Sequence, residues 1–162
     1  MAGKNKGKKK NPFGSPTIQN RRARYDYNIE EEFEAGIVLH GTEVKSLRKG
    51  EANINDAYAA EDKEEIWLYN SYIKEYEGGN QFNHETRRPR KLLLHRREIN
   101  KLMGRIQAKG TTLVPLRIFF NARGMAKVML GLASGKRQHE KRDTIKDRDW
   151  QREKERIIKD KW

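Results

Sequence analysis

The chain has 162 residues and no cysteine, which excludes disulfide bonds and thiolate zinc sites. Charged residues make up 36% and hydrophobic residues 35%, and no run of about 18 apolar residues occurs, so we expect one cytoplasmic domain with no membrane span. The formal net charge of +13 predicts a polyanionic partner: RNA, DNA or an acidic membrane surface.

Charge is unevenly distributed along the chain. Residues 1–24 contain eight basic residues and no acidic one, whereas residues 25–86 contain fifteen acidic and five basic residues. Residues 87–132 contain twelve basic residues and one acidic residue, and residues 133–162 contain eleven basic and seven acidic residues. A domain with an acidic half and a basic half would bind a polyanion in one orientation, unless strands of both halves alternate in space and their charges cancel.

The first predicted elements are a basic arm and a long strand. Residues 1–17 have almost no apolar side chains, so we expect a disordered arm that tethers phosphate or merely aids solubility. Apolar residues then recur at every second position over residues 27–39, which predicts a half-buried strand. Glu31 interrupts the apolar face and Gly36 lies within the strand. We therefore expect a β-bulge at either position or a functional carboxylate at Glu31.

A short helix and two further strands follow. We expect Thr42 to be the N-cap of the helix and Gly50 to end it. Residues 52–60 and 66–73 predict two strands joined by a charged turn. Residues 75–90 contain adjacent glycines, two asparagines and a proline without periodicity, which predicts an exposed loop.

Residues 94–109 predict an amphipathic helix. Its apolar face has the spacing i, i+3, i+4, i+7 and consists of Ile99, Leu102, Met103 and Ile106. Its other face is basic and consists of Arg96, Arg97, Lys101 and Arg105. Such a face is usually an ordinary solvated surface, but the lack of acidic neighbours in the sequence favours contact with a polyanion.

Residues 111–120 and 125–133 predict a β-hairpin around a turn at residues 121–124. Pro115 lacks an N–H donor, so it favours an edge position or a bulge. We expect one apolar face on each strand: Val114, Leu116, Ile118 and Phe120 on the first, and Ala126, Val128, Leu130 and Leu132 on the second.

Together these elements predict an all-β fold with inserted helices, namely an OB-fold-like small antiparallel β-barrel over residues 18–133. Residues 134–162 form a separate tail with few large apolar side chains. We expect this tail to be disordered when free and helical when bound, the alternative being a solvated helix packed on the barrel.

The sequence contains no recognisable catalytic or metal-binding pattern, so we expect no enzyme, no cofactor and no small-molecule substrate. Residues 131–136 are one residue too short for a phosphate-binding loop, and Arg137 follows where Ser or Thr would hold magnesium. His139 lies beside Glu140 and Arg142, a grouping that a nuclease could use, but it lies on a tail with no rigid support. Base stacking or phosphate contact suits His139 better.

Several motifs, in order and without a long gap, resemble the SsrA-binding protein family, also called small protein B or SmpB. The resemblance begins in the barrel with residues 20–27 (NRRARYDY), 33–37 (FEAGI), 41–48 (GTEVKSLR), 52–54 (ANI) and 90–94 (RKLLL). It continues in the tail with residues 135–142 (GKRQHEKR) and 145–150 (IKDRDW). It covers the chain from about Asn20 onwards.

The resemblance implies an adaptor that binds transfer-messenger RNA (tmRNA, or SsrA RNA) and brings it to stalled bacterial ribosomes for trans-translation. In this family the protein stands in for the missing anticodon arm. The tmRNA-binding positions implied here, some by direct match to the family and others by charge within its motifs, are Asn20, Arg21, Arg22, Arg24, Glu34, Lys45, Arg48, Arg90, Lys91 and Leu93. Glu34 would accept hydrogen bonds from bases or hold an arginine, unless it is purely structural.

The resemblance also implies that the tail enters the empty mRNA channel near the decoding centre of the small ribosomal subunit. The implied ribosome-binding positions are Lys136, Arg137, His139, Glu140, Lys141, Arg142, Ile145, Lys146, Arg148 and Trp150. Glu140 departs from the family, which commonly has aspartate there. The alternative function is a general ribosome-associated or structured-RNA-binding protein without a dedicated tmRNA partner.

Overall fold

A computed structural model describes residues 14–107, 110–135 and 138–159, except for the side chains of Gln138, His139 and Lys159. Its strands are β1 Ile18–Gln19, β2 Tyr27–Ile37, β3 Ala52–Asn53, β4 Tyr58–Asp62, β5 Glu65–Tyr69, β6 Tyr72–Ile73, β7 Arg90–Leu93, β8 Thr111–Phe120 and β9 Ala126–Gly135. Its helices are α1 Ala23–Asp26, α2 Gly41–Arg48, α3 Arg96–Ile106 and α4 Gln138–Lys159, and 3-10 turns span Glu77–Phe82.

The main sheet closes on itself. Its order is β8–β4–β5–β7–β2–β9, and β9 pairs again with β8, so six antiparallel strands form a barrel. Strand β1 pairs with β8, and β3 and β6 form a separate small sheet. Closure leaves few free strand edges, which is a common solution for small all-β domains. The predicted antiparallel barrel with inserted helices is confirmed.

Two β-bulges divide the apolar residues between the barrel interior and an outer cluster. In β2 the register shifts between Ile29 and Glu31, so Ile29 packs outside whereas Phe33 packs inside. In β8 the register shifts between Pro115 and Arg117. The bulges expected near Glu31 and Pro115 are therefore confirmed, because an extra residue reverses the faces of all residues beyond it.

The single apolar face expected for the first hairpin strand is wrong for the same reason. Val114 and Leu116 belong to the outer cluster, whereas Ile118 and Phe120 lie in the barrel core. Gly36, the other expected bulge site, continues the regular register of β2.

A buried ion-pair cluster fixes α2 against the barrel. Glu43 is fully buried and accepts hydrogen bonds from the backbone N–H of His40 at 2.8 Å, from Arg88 at 2.6 and 2.8 Å, and from Arg90 at 2.8 Å. Burial by itself raises the pKa of Glu43, but the hydrogen bonds from Arg88 and His40 and the charge of Arg90 outweigh it and hold that pKa below its ordinary value.

The cluster explains two wrong expectations. His40, not Thr42, is the N-cap of α2, and the Thr42 hydroxyl instead lies 2.8 Å from Nδ1 of His84. Residues 75–90 are only partly an exposed loop, since His84 and Arg90 are buried within it. Gly50 ends α2 with a φ of +77°, as expected.

Helix α3 shows how the two charged halves of the chain are arranged. Lys101 contacts Glu31 at 2.5 Å and Arg105 contacts Glu30 at 3.9 Å. Arg96 contacts Glu64 of the β4–β5 turn at 2.9 Å. The two halves of the chain therefore interleave here. Arg96, Lys101 and Arg105 have acidic neighbours from other segments, so the lack of acidic neighbours holds along the sequence but not in space.

Helix α4 extends from the end of β9 and is largely exposed. Lys141 joins it to the barrel, with Nζ 3.7 Å from Asp26 and 6.0 Å from the ring centre of Tyr25. Its large apolar residues Ile145, Trp150, Ile157 and Ile158 are all at least 40% exposed. Among the described residues, no helix is long and apolar enough to cross a membrane. The change from disordered to helical on binding stays a prediction.

Candidate RNA interface

An apolar groove of about 590 Å³ lies on the outer surface of the barrel. Strand β2 supplies Glu34 and Gly36, β7 supplies Leu93, and Met125 precedes β9. Leu93 is 53% and Met125 is 58% exposed, although both are large apolar residues. Apolar surface left open to water beside charged groups is characteristic of a binding site.

The backbone of β2 shapes this groove, which we call the Leu93 groove. Gly36 pairs with Leu93, and a Cβ added to Gly36 would lie 3.2 Å from the Cβ of Leu93. Glycine thus permits the close approach of β7 that presents Leu93. Two residues earlier, Glu34 points outward, and no hydrogen bond or ion pair to its carboxylate occurs among the described residues. An open carboxylate beside an apolar floor can accept hydrogen bonds from the amino and imino groups of a nucleobase.

A second cavity, of about 440 Å³, lies between the barrel and α4. We call it the arginine cleft, because its lining includes Arg21, Arg24, Arg117, Arg148 and Arg152. Its one acidic residue, Glu32, contacts Arg24 at 2.7 Å. Guanidinium groups bind phosphate bidentately, so this cleft suits a phosphodiester backbone.

Asn20 is part of the wall of the arginine cleft. It is 9% exposed, its Nδ2 donates to the carbonyl of Pro115 at 2.9 Å, and its Oδ1 accepts from the N–H groups of Arg22 and Ala23 at 3.1 and 3.0 Å. Asn20 thereby holds the turn before α1 against the β8 bulge. Its position supports an indirect role, in which it orients Arg21.

Helix α2 places two of the predicted basic residues near aromatic rings. Lys45 lies 5.0 Å from the ring centre of Tyr76, and Arg48 lies 5.7 Å from that of Phe120, which also lines the Leu93 groove. Nearby, Phe82 is 82% exposed on the 3-10 turns. Sequence reasoning missed Phe82, although an isolated aromatic residue in a polar loop is a recognisable signal for base stacking.

Besides Arg24, three predicted tmRNA-binding residues lie in ion pairs. Arg90 is fully buried and donates to Glu43, to the backbone carbonyls of Ser71 and Thr86, and to the Ser71 hydroxyl at 2.7 to 3.1 Å. It therefore cannot reach a phosphate, and its assignment to the RNA surface is corrected to a structural role. Lys91 contacts Glu65 at 2.7 Å. Arg22 is 3.4 Å from Asp56, and both side chains are more than 60% exposed.

Most of the predicted tail residues that the structure describes are exposed on α4. Lys136, Arg137 and the side chain of His139 lie outside the described residues. Arg142, Ile145, Lys146, Arg148 and Trp150 are exposed, and Glu140 and Lys141 are partly buried. Trp150 is 68% exposed, so the helix presents a large aromatic surface that the barrel does not cover. This surface is available to a partner outside the chain.

Taken together, the geometry offers apolar contact, one open carboxylate and several arginines on a rigid barrel. No group of three or more histidine, aspartate or glutamate side chains in the described residues could hold a metal ion. Phosphate contacts would fix the position of an RNA here, and the groove would read exposed bases.

Comparison with known proteins gives a consistent picture. The family model "SmpB protein" matches residues 17–160. An SsrA-binding protein of Sphingomonas elodea is 60% identical over 143 residues, which are 88% of this chain and 89% of that protein. The SsrA-binding protein of Caulobacter vibrioides is 58% identical over 147 residues, or 91% and 97% of the two chains. A solved structure described as "tmRNA-SmpB: a journey to the center of the bacterial ribosome" is similar with a TM-score of 0.66 and 50% identity, and the match covers 81% of this chain and 95% of that one.

Proposed function

The chain belongs to the SmpB family, and from this membership we propose that it is an RNA-binding adaptor that binds tmRNA and delivers it to stalled ribosomes. The observation that carries the proposal is the Leu93 groove, where exposed Leu93 and Met125 flank the open carboxylate of Glu34. A barrel that recognises a folded RNA needs apolar stacking surface, base-edge acceptors and neighbouring positive charge, and this face combines all three.

We divide the protein into two working parts. The barrel, residues 18–133, holds tmRNA through Arg21, Arg24, Glu34, Arg48 and Leu93, with Lys45 nearby on α2. Residues 134–162 probe the empty mRNA channel, and this role is supported by α4, which exposes its apolar residues and carries basic residues. Residues 1–17 add a basic arm that attracts phosphate.

The tail is proposed to act on the small ribosomal subunit through exposed side chains of α4. Arg142, Lys146 and Arg148 would contact phosphates of ribosomal RNA, and Trp150 would stack on an exposed base. Lys136, Arg137 and His139 precede these residues in the sequence and are proposed to take part in the same contacts, and Glu140, Lys141 and Ile145 lie on the first turns of α4. A protein with these tasks performs no bond-breaking chemistry of its own and works in the cytoplasm, where ribosomes translate.

The alternative function, a general structured-RNA-binding protein, differs from the proposed function in the specificity for tmRNA that it predicts. Binding of the full-length protein to tmRNA should be at least tenfold tighter than binding to an unrelated structured RNA of equal length at physiological salt. Substituting Leu93→Ala removes apolar surface from the groove and should weaken tmRNA binding about tenfold with no loss of thermal stability, because Leu93 is half exposed.

A reconstituted translation reaction on an mRNA without a stop codon gives the functional readout. The wild-type protein should restore peptide release in the presence of tmRNA, and a protein truncated after Gly135 should bind tmRNA but fail to restore release. Equal affinity of the wild-type protein for both RNAs would contradict the proposed function.

A further inference from the structure

One row of residues connects the Leu93 groove to the arginine cleft. In the sheet register, Glu34 of β2 lies opposite Met129 of β9, and Met129 lies opposite Arg117 of β8. Directly opposite residues point to the same face of a sheet, and neighbouring strands are about 4.8 Å apart. Glu34 and Arg117 therefore share the outer face of the barrel, with backbones about 10 Å apart.

The β8 bulge is what places Arg117 on this face. The register shift between Pro115 and Arg117 inserts an extra residue, so Arg117 points outward while Ile118 enters the core. The guanidinium lies 5.2 Å from the ring centre of Phe119 and is exposed. In the described part of the chain no carboxylate lies within ion-pair distance of Arg117, whereas Arg24, Arg96 and Arg105 each contact one.

From this placement we propose that Arg117 is a phosphate anchor of the RNA-binding face, so that one tmRNA strand runs from the Leu93 groove across Met129 into the arginine cleft. The inference rests on the proposed tmRNA-binding function and adds to it a residue that binds the backbone rather than a base. An arginine without a carboxylate partner keeps its donors available, and its planar fork matches a phosphate.

The two walls of the cleft differ in how they are attached to the barrel. Arg117 and Arg21 stand on the barrel wall, where Gln19 pairs with Arg117 and Asn20 is hydrogen-bonded to Pro115. Arg148 and Arg152 stand on α4, which Lys141 joins to the barrel three turns away from Arg152. Because a preorganised side chain loses less entropy on binding, the barrel wall carries the anchor and the α4 wall contributes little to tmRNA affinity.

The test measures the dissociation constant of full-length protein for tmRNA, across a salt series, for Arg117→Gln. We expect about tenfold weaker binding, the size of a lost charge-assisted hydrogen bond, and a slope of log affinity against log salt that is shallower by about 0.7 to 0.9. Arg117→Lys keeps the charge and should recover most of the affinity. A thermal melt checks that each variant is folded.

Arg97→Gln has the same loss of charge and serves as the matched control, because Arg97 is exposed on α3 and lines neither the Leu93 groove nor the arginine cleft. It should bind tmRNA within twofold of the wild type. Arg152→Gln removes a charge from the opposite wall of the cleft and compares the two walls, and it should lose less affinity than Arg117→Gln. Affinity of Arg117→Gln within twofold of wild type, or an equal loss for Arg152→Gln, would overturn the inference. If Leu93→Ala still weakens binding in that case, the proposed function stands without the anchor.

Discussion

The most direct test of the fold concerns Glu43, the buried carboxylate that joins α2 to β7. Glu43→Gln keeps the shape of the side chain but removes its charge, and it leaves Arg88 and the fully buried Arg90 without their counterion. Removing one partner of a buried ion pair lowers the free energy of unfolding by about 3 to 5 kcal/mol, because the other charge stays buried without a partner. Two guanidinium groups depend on Glu43, so we expect a loss in the free energy of unfolding within that range.

The size of this loss matters because small domains are stable by about 5 to 15 kcal/mol. Urea denaturation followed by circular dichroism gives the free energy of unfolding, and an unchanged m value shows that the unfolding reaction is the same. Glu65→Gln is the matched control, because Glu65 contacts Lys91 at 2.7 Å but is 42% exposed. Exposed pairs contribute about 0 to 1 kcal/mol. Equal losses for Glu43→Gln and Glu65→Gln would refute the reasoning that burial decides the effect.

Three other predictions follow from the same contacts. The pKa of Glu43 is lower in the folded protein than the ordinary value of 4.5. The stability that Glu43 contributes is therefore present above pH 4.5 and is lost as the pH falls through the pKa of the folded protein. Acid denaturation of Glu43→Gln should lack this component. Asn20→Ala should lower the free energy of unfolding by about 1 to 3 kcal/mol and also weaken tmRNA binding, because the buried donors and acceptors of the turn lose their partner; unchanged stability with weaker binding would instead indicate direct RNA contact. A peptide of residues 134–162 should show little helix by circular dichroism in buffer, since its apolar residues have nothing to bury against, and a strongly helical free peptide would contradict the predicted disorder.

The secondary structure followed the sequence closely where periodicity was clear. The alternation in β2 and the i, i+3, i+4, i+7 spacing in α3 depend on local geometry, so they can be read without knowing the fold. Even the two bulges had local signals, in the charge of Glu31 and the missing N–H of Pro115. No local signal showed which residues beyond a bulge face the core. A bulge reverses the face of every later residue in its strand, and its exact position is set by the partner strand.

The sequence predicted only part of the candidate site. The family resemblance placed Glu34 and Leu93 on the RNA surface, and the structure brings them to one groove. Arg90 was placed there because of its charge within a family motif, but the folded chain buries Arg90 against Glu43, which lies 47 residues away in the sequence. Arg117 went unnoticed, because nothing in the sequence distinguishes it from Arg96, whose charge is neutralised by Glu64.

By itself, the sequence determined the class of partner, which follows from the net charge, and the all-β barrel with inserted helices, which follows from short-range periodicity. Only the tertiary structure decided which charges remain available for RNA. Whether an arginine forms an ion pair with a carboxylate depends on strand register and on loop packing between distant segments. The energy of that ion pair depends on its burial. Arg96, Lys101 and Arg105 of α3 form ion pairs with acidic residues of β2 and of the β4–β5 turn, whereas Arg117 on the outer barrel face is left for a phosphate.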